Sequence, residues 1–380
     1  MMNEFAQKNI DKGGALEEAL RQYFLGMGAF VIRGVPFKQG KEDITDIDLW
    51  VYTRANVHAR HVSIVDIKNK KRAKAFERIV WVKGLQAAVG ADDAVVATTS
   101  SVDAVAPFAK RLGVKLLSKG SLAPIQARYG NAIRLSNEDI LERWRNVNIR
   151  GTETLKSRLL TSLAELSTGI TFAALNIWVD DAAELFALSI DRERKPGELA
   201  RAAYFFSALV AIAADYLGKG EVFSEPEVRR SFFKNGLLFG RPDPDASKKF
   251  TDFAEQLVTE YLDQSGASAA RIRSGFERSL ENLSINSLVE FFSKPAAGRE
   301  LVDGAIALEA ASFSPGLPQP SELSREARTI IGLILDYADL PRAHFLGAGK
   351  EADREARPRP IAEEGDKPVT MEFPFDKSPK

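Results

Sequence analysis

The chain has 380 residues, with 52 basic and 52 acidic side chains, so its formal net charge is zero. A nucleic-acid partner would therefore have to bind a local basic patch rather than the protein as a whole. The absence of cysteine excludes disulfides, thiolate metal sites and cysteine nucleophiles, and three histidines argue against a histidine-rich zinc site. The N-terminus lacks the apolar core of a signal peptide, and the apolar run at residues 202–214 is too short to span a bilayer. We expect that run to be a buried helix in a soluble, cytoplasmic protein with no membrane partner.

Helical and strand-like patterns alternate over the first third of the chain. Residues 15–28 carry apolar side chains at helical spacing, with Glu17 beside that stripe. Three strands are predicted over residues 29–37, 44–53 and 61–70, and Pro36 is expected to end the first of them. The pattern continues with a helix at 72–89, a strand at 93–100, a helix at 102–113 and a short strand with a turn at 114–122.

This order predicts an α/β fold with a mixed sheet flanked by helices. Strands joined by short connections should pair in an antiparallel meander, whereas the helix-linked strands should pair in parallel with right-handed crossovers. We expect the sheet and its helices to form an N-terminal domain that closes near residue 127.

The rest of the chain is predicted to be an all-α C-terminal domain. Beyond residue 130 the patterns are helical, with no convincing strand, and the predicted domain covers residues 128–346, with a subdomain break near 312–324. The polar, proline-rich segment 347–380 is predicted to be disordered. Its MEFPFD sequence either offers aromatic anchors to a partner groove or belongs to an idle tail.

Two acids and a lysine stand on neighbouring predicted strands. Asp48 lies on one strand, and Asp66 and Lys68 lie two residues apart, on one face, of the next. Carboxylates bind hard divalent cations, and a lysine beside them can orient a water and counter charge that develops on a phosphate. These residues therefore predict a metal-dependent nuclease.

The same residues carry a resemblance to the PD-(D/E)XK nuclease superfamily, in its Mrr-like restriction-endonuclease branch. It covers about residues 13–122 and rests on Gly13 with LEEAL, on DIDLWV, IVDIK, VVATTS and RLGVKLLSKGSL. No proline precedes the first acid, and Asp66 takes a place more often held by glutamate. The resemblance implies a restriction-endonuclease-like fold and Mg²⁺, which Mn²⁺ could replace. The implied metal ligands are Asp48, Asp66, the carbonyl of Ile67 and the helical Glu17, while Lys68 would position the attacking water.

Other polar residues near this constellation have a functional and a structural interpretation. Lys83 and Gln86 fall on the predicted stripe of the following helix and could support the site, although Lys83 could equally extend its amine to solvent. Asp46 could add an outer contact to the site, but an exposed strand-edge acid is the favoured interpretation. His58 and His61 are expected to be surface histidines.

Two basic clusters are candidate contacts for nucleic acid. The first abuts the acids and is either a track for DNA phosphates or a solvated charged face. Its members are Lys70, Lys71, Arg72, Lys74 and Arg78. The second, in the helical region, is either a DNA- or partner-binding element or the edge of a helical core. Its members are Arg229, Arg230, Lys234, Arg241, Lys248 and Lys249.

The sequence thus predicts a Mg²⁺-dependent endonuclease that hydrolyses DNA in restriction, anti-phage defence or repair. The alternative is a catalytically silent nucleic-acid-binding or scaffold subunit that keeps the nuclease fold. The helical domain or the tail could bind a protein partner, and the chain could form a homodimer. It has no G-x-x-x-x-G-K-[ST] motif and so carries no recognisable NTPase motor.

Overall fold

The structure is a computed structural model. It describes residues 12–40, 42–68, 75–99, 104–130, 133–190, 195–261, 274–275 and 284–346. The predicted disordered tail and its MEFPFD sequence lie outside the described residues, as do four members of the first basic cluster, Lys70, Lys71, Arg72 and Lys74.

A five-stranded mixed sheet forms the N-terminal part of the protein. Its strands are β1 (Phe30–Gln39), β2 (Glu42–Arg54), β3 (Arg60–Lys68), β4 (Asp93–Thr98) and β5 (Val114–Leu117), and they are arranged in that order. The first three pair antiparallel, and β3, β4 and β5 pair in parallel. The predicted mixed sheet, with its meander and its parallel part, is therefore confirmed.

Helices cover both faces of this sheet. They are α1 (Lys12–Gly26), α2 (Ala75–Val89), α3 (Ala106–Arg111) and α4 (Lys119–Tyr129). On one face, Leu16 and Leu20 of α1 and Leu122 of α4 share a core with the strands. On the other face, α2, α3 and the helical half of the chain share a second, larger core. The acids of the candidate site therefore lie in a sheet that is enclosed between two layers of helices.

Two sequence-based expectations were wrong in this region. The first strand does not end at Pro36 but continues to Gln39, with Pro36 opposite Asp46 of β2. Because β1 is an edge strand, a residue without an N–H can be tolerated on its outer side. The expected turn after β5 is instead the helix α4, whose Leu122 and Ile125 are buried.

The C-terminal half is dominated by helices, as predicted. The helices are α5 (Asn137–Trp144), α6 (Leu155–Thr168), α7 (Phe172–Ser189), α8 (Pro196–Leu217), α9 (Pro226–Phe239), α10 (Ala246–Tyr261), α11 (Asn286–Phe292), α12 (Ala297–Ser312), α13 (Arg325–Tyr337) and α14 (Arg342–Leu346). The expectation of no strand beyond residue 130 was wrong, since β6 (Asn148–Arg150) and β7 (Glu153–Thr154) form a small hairpin. Strands of three and two residues are too short to show an alternating pattern in the sequence.

The helix α8 is the centre of the helical half. Almost all its residues from Leu199 to Asp215 are buried, and it packs against α7 and α12. Among the described residues it forms the single segment long and apolar enough to cross a membrane, and 83% of its most apolar window is buried inside the protein. The prediction of a buried helix over this apolar run is therefore confirmed.

Buried charges join the sheet to the helical half. Glu309 of α12 is fully buried and accepts hydrogen bonds from Arg21 of α1 and from Arg134, the latter at 2.7 Å. Although burial opposes it, the charges of these two arginines hold the pKa of Glu309 below its ordinary value. Because one hydrophobic cluster also runs from the strands into α8 and α12, the two halves are extensively packed together. The predicted domain boundary at residue 127 falls inside α4 and stays a prediction.

Candidate active site

The two acids face each other where β2 and β3 stop pairing. The last paired residues are Leu49 and Val65, and the same register continued by one residue places Asp48 opposite Asp66. Beyond this pair the Ile67 N–H donates to a side chain of β2 and not to a backbone carbonyl. Its acceptor is Oδ2 of Asp48, at 2.6 Å. This bond fixes the first acid against the backbone between the second acid and the lysine.

The pKa of Asp48 depends on its burial and on the charged groups around it. Burial raises the pKa of Asp48 to about 6, and the negative charges of Asp66 and Glu17 act in the same direction. The Ile67 N–H and the ammonium group of Lys68 act in the opposite direction. All the predicted catalytic residues are thus near enough to influence Asp48, and a cation placed between the acids would favour its ionised form.

Asp66 is buried, with 6% of the residue exposed, and it is paired with Arg78. Arg78, in the first turn of α2, donates from Nε to Oδ2 of Asp66 at 2.5 Å and from Nη2 to Oδ1. Such a two-pronged pair is geometrically specific and strong when it is partly buried. Sequence analysis placed Arg78 either on a track for DNA phosphates or on a solvated charged face, and it did not find this contact.

Lys68 lies at the carboxyl end of β3, beside Thr98 of β4. Together with Arg78 and Val105 of the connecting segments, these two residues line a small cavity. The cavity lies at the carboxyl ends of parallel strands, where ligands bind in many open α/β sheets. The Lys68 and Arg78 side chains therefore lie on the wall of one small cavity.

Glu17 faces the sheet from α1, as its position beside the apolar stripe predicted. It accepts a hydrogen bond from Nε of Arg33 at 2.7 Å, and Arg33 also forms a two-pronged pair with Glu138 of α5 at 2.7 and 2.8 Å. Although burial opposes it, the two glutamates raise the pKa of Arg33 above its ordinary value. Glu17 is therefore held by an arginine that sequence analysis did not identify.

The ligands available to a metal are oxygen atoms. Across the described part of the chain, no three histidine, aspartate or glutamate side chains are gathered closely enough to hold a metal ion. The two facing aspartates and the nearby carbonyl of Ile67 are a partial set of hard donors of the kind that Mg²⁺ prefers, and waters usually complete its shell. Glu17 would have to leave Arg33 to join them.

The three other polar candidates lie away from this cavity. The Gln86 side chain donates to the carbonyls of Ala91 and Asp92 at 3.2 and 2.8 Å, and Lys83 donates to Oε1 of Gln86 at 2.9 Å. This chain of hydrogen bonds fixes the connection between α2 and the start of β4, whereas the cavity is at the other end of β4. Asp46 is exposed.

The buried face of α2 differs from the predicted one. The sequence predicts an apolar stripe of Phe76, Ile79, Val80 and Ala87, but Phe76 and Val80 are 51% and 55% exposed. Ile79 is buried as predicted, and Val82 and Leu85 complete the buried stripe. Arg78 lies four residues before Val82 and seven before Leu85, so the correct stripe would have placed it on the face of α2 that packs on the sheet.

The remaining basic and histidine candidates are at the surface or hold the backbone. Arg229 donates to the carbonyl of Ser293 at 2.8 Å, and Arg230 pairs with Glu290. His58 and His61 are exposed, as expected. These contacts account for two positions of the second basic cluster.

Comparison of the chain with models of known protein families gave no match, and comparisons with curated proteins and with solved structures gave none either. The resemblance to the PD-(D/E)XK nucleases therefore stays a prediction. The functional argument rests on the geometry of Asp48, Asp66 and Lys68.

Proposed function

We propose that the chain is a metal-dependent endonuclease that hydrolyses DNA phosphodiester bonds and has a restriction-endonuclease-like N-terminal domain. The observation that carries the proposal is the hydrogen bond from Ile67 to Asp48, which holds one carboxylate opposite Asp66 and beside Lys68. A cytoplasmic location, DNA as the partner and a role in restriction, anti-phage defence or repair belong to the same proposal, as does assembly as a homodimer.

The donor set fits Mg²⁺, with Mn²⁺ as a substitute. Two facing carboxylates, one with a pKa raised by burial and by its neighbour, are stabilised by a divalent cation between them. When bound, such an ion would offset charge on the scissile phosphate and make a water more acidic. Asp48 and Asp66 would hold the ion, together with the carbonyl of Ile67.

The lysine and the arginine have separate tasks in this proposal. The ammonium group of Lys68 would orient the attacking water and counter the negative charge that develops on the phosphate. Arg78 would release Asp66 and turn its guanidinium to the phosphate, because a carboxylate engaged by both nitrogens of an arginine has little capacity left for a metal. The side chain of Arg78 is 27% exposed, so it has solvent on one side into which to move.

The second candidate is a catalytically silent subunit that binds nucleic acid without cutting it. The specific observation in its favour is the pair between Arg78 and Asp66, which satisfies the second acid without any metal. In that case DNA binding would be insensitive to EDTA, and Arg78 would serve as a structural partner only.

The experiment incubates supercoiled plasmid and linear DNA with the protein in Mg²⁺, Mn²⁺ or EDTA. We expect cleavage by the wild type in either metal, no cleavage in EDTA and none by Asp66→Asn. The matched control is Asp46→Asn, an exposed acid on β2 that should leave cleavage unchanged. Cleavage in EDTA, or cleavage that survives Asp66→Asn, would reject the assigned site. DNA binding without cleavage under any condition would favour the silent subunit.

A further inference from the structure

A concave pocket lies at the other end of β2 and β3 from the two acids. Arg54 ends β2 and Arg60 begins β3, and both reach the end of α8. Arg54 is six residues from Asp48 along β2, so the pocket is roughly 20 Å from the acids at the rise of a β-strand. It is therefore a separate site, enclosed between the sheet and the helical half.

At the base of this pocket, one carboxylate forms ion pairs with two guanidinium groups. Arg60 forms a two-pronged pair with Asp215 of α8, at 2.6 Å for both nitrogens. Arg54 reaches the same carboxylate at 3.4 Å, and its buried Nε makes no hydrogen bond. Two positive charges thus share one negative charge, and a buried donor of Arg54 is left available.

Two further cations on the pocket wall have only neutral partners within the described part of the chain. Arg229 donates to the carbonyls of Ser224 and Ser293, and Lys294 lies with its Nζ 5.6 Å from the centre of the Phe291 ring. Carbonyls and rings do not neutralise a charge. With the two strand arginines, four cations surround the pocket, and Asp215 is the one acid among the described residues that line it.

The first turn of α12 also lines the pocket through Gly298. A Cβ at this position would lie 2.6 Å from Oδ1 of Asp215 and 3.2 Å from Nη2 of Arg54. Only glycine therefore lets the helix start approach the ion pair this closely. The amino end of a helix carries partial positive charge and N–H groups without helical partners, which adds to the attraction for an anion.

We propose that this pocket binds a phosphate group, either free or carried by a small nucleotide. A net charge of three positive units calls for a multiply charged oxyanion rather than a single carboxylate, and guanidinium groups match the geometry of phosphate oxygens. The rings of Phe233 and Phe292, which are 2% and 6% exposed, complete the wall of the pocket. The site does not depend on the proposed nuclease activity.

The test measures binding of inorganic phosphate and of ADP to the full chain by calorimetry, with sodium chloride at matched ionic strength as the blank. We expect saturable binding that Lys294→Ala weakens at least fivefold and Lys294→Glu abolishes. Lys294 is exposed, so neither change threatens the fold. The matched control is Arg230→Ala on the neighbouring helix face, because Arg230 already has Glu290 as its partner and should bind as the wild type does.

Each outcome of this test decides the matter. Equal affinity for phosphate and ADP would identify a site for the free anion, and tighter binding of ADP would identify a nucleotide site. No binding beyond the chloride blank, or wild-type binding by Lys294→Glu, would overturn the proposal.

Discussion

Replacement of Asp48 by asparagine tests the electrostatic description of the site without using any activity. The pKa of this carboxyl is raised from an ordinary value of 3.8 to about 6. A group whose folded-state pKa is raised binds its proton more tightly in the folded than in the unfolded protein. The stabilisation that comes from this tighter proton binding is therefore fully present below pH 3.8. It is lost as the pH rises through 6.

The size of the effect follows from the two pKa values. Each unit of difference corresponds to about 1.4 kcal/mol, so ionising Asp48 in the folded state costs at most about 3 kcal/mol. Between pH 5 and pH 7.5 the loss is roughly 1 to 1.5 kcal/mol, and solvent near this partly exposed group reduces it further. Asparagine keeps an oxygen that can accept the Ile67 N–H but has no charge, so the variant should not lose this amount.

The assay is urea unfolding of the wild type and Asp48→Asn at pH 5 and at pH 7.5. We expect the free energy of unfolding of the variant, relative to wild type, to rise by roughly 1 kcal/mol between the two pH values. Asp46→Asn is the matched control, because this exposed acid should show no such change. If the free energy of unfolding changed equally with pH in the wild type and in Asp48→Asn, the reasoning would be refuted.

Three further changes test other parts of the structure. Arg78→Ala removes the guanidinium that occupies the Asp66 carboxylate, so Mn²⁺ should bind about tenfold more tightly by calorimetry. Unchanged affinity would show that Arg78 does not compete with the metal for Asp66. Glu309→Gln removes the carboxylate that Arg21 and Arg134 share and leaves Arg21 with Glu18 alone. It should lower the free energy of unfolding by roughly 3 to 5 kcal/mol in urea, and a loss below 1 kcal/mol would contradict this role. Gly236→Ala drives a methyl group into the ring of Phe172 and should cost roughly 1 to 3 kcal/mol in thermal unfolding. Its control, Gly84→Ala, meets no atom within 4 Å and should be neutral or stabilising.

The sheet could be predicted from the sequence because its strands obey simple local rules. The alternation around Asp48 and Asp66, and the short and long connections between strands, determine both the meander and the parallel part. Errors arose where tertiary position overrides a local signal, as at Pro36, which is tolerated because β1 is an edge strand.

The acids of the candidate site could be predicted, but their partners could not. Asp48 and Asp66 are set by strand register, which the sequence encodes locally. Arg33 and Arg78 contact Glu17 and Asp66 across distances of 16 and 12 residues along the chain, and nothing in the local pattern specifies those pairs. The α2 stripe was misjudged because several apolar residues compete for the buried face, and only packing against the sheet decides among them.

The cationic pocket was beyond sequence analysis for the same reason. Arg54, Asp215 and Gly298 come together from β2, α8 and α12, which are more than 80 residues apart along the chain in each case. Their proximity depends on how the helical half packs on the sheet.

The central claim is that Lys68 acts with Asp48 and Asp66 in phosphodiester hydrolysis. The most direct measurement is the rate of plasmid nicking in Mg²⁺ by the wild type, by Lys68→Ala and by Lys115→Ala. Lys115 is an exposed lysine of β5 that pairs with Asp93 outside the candidate site. We predict that Lys68→Ala lowers the rate at least about a hundredfold, as loss of a group that stabilises developing charge does, while Lys115→Ala stays near wild type. Wild-type nicking by Lys68→Ala would contradict the claim.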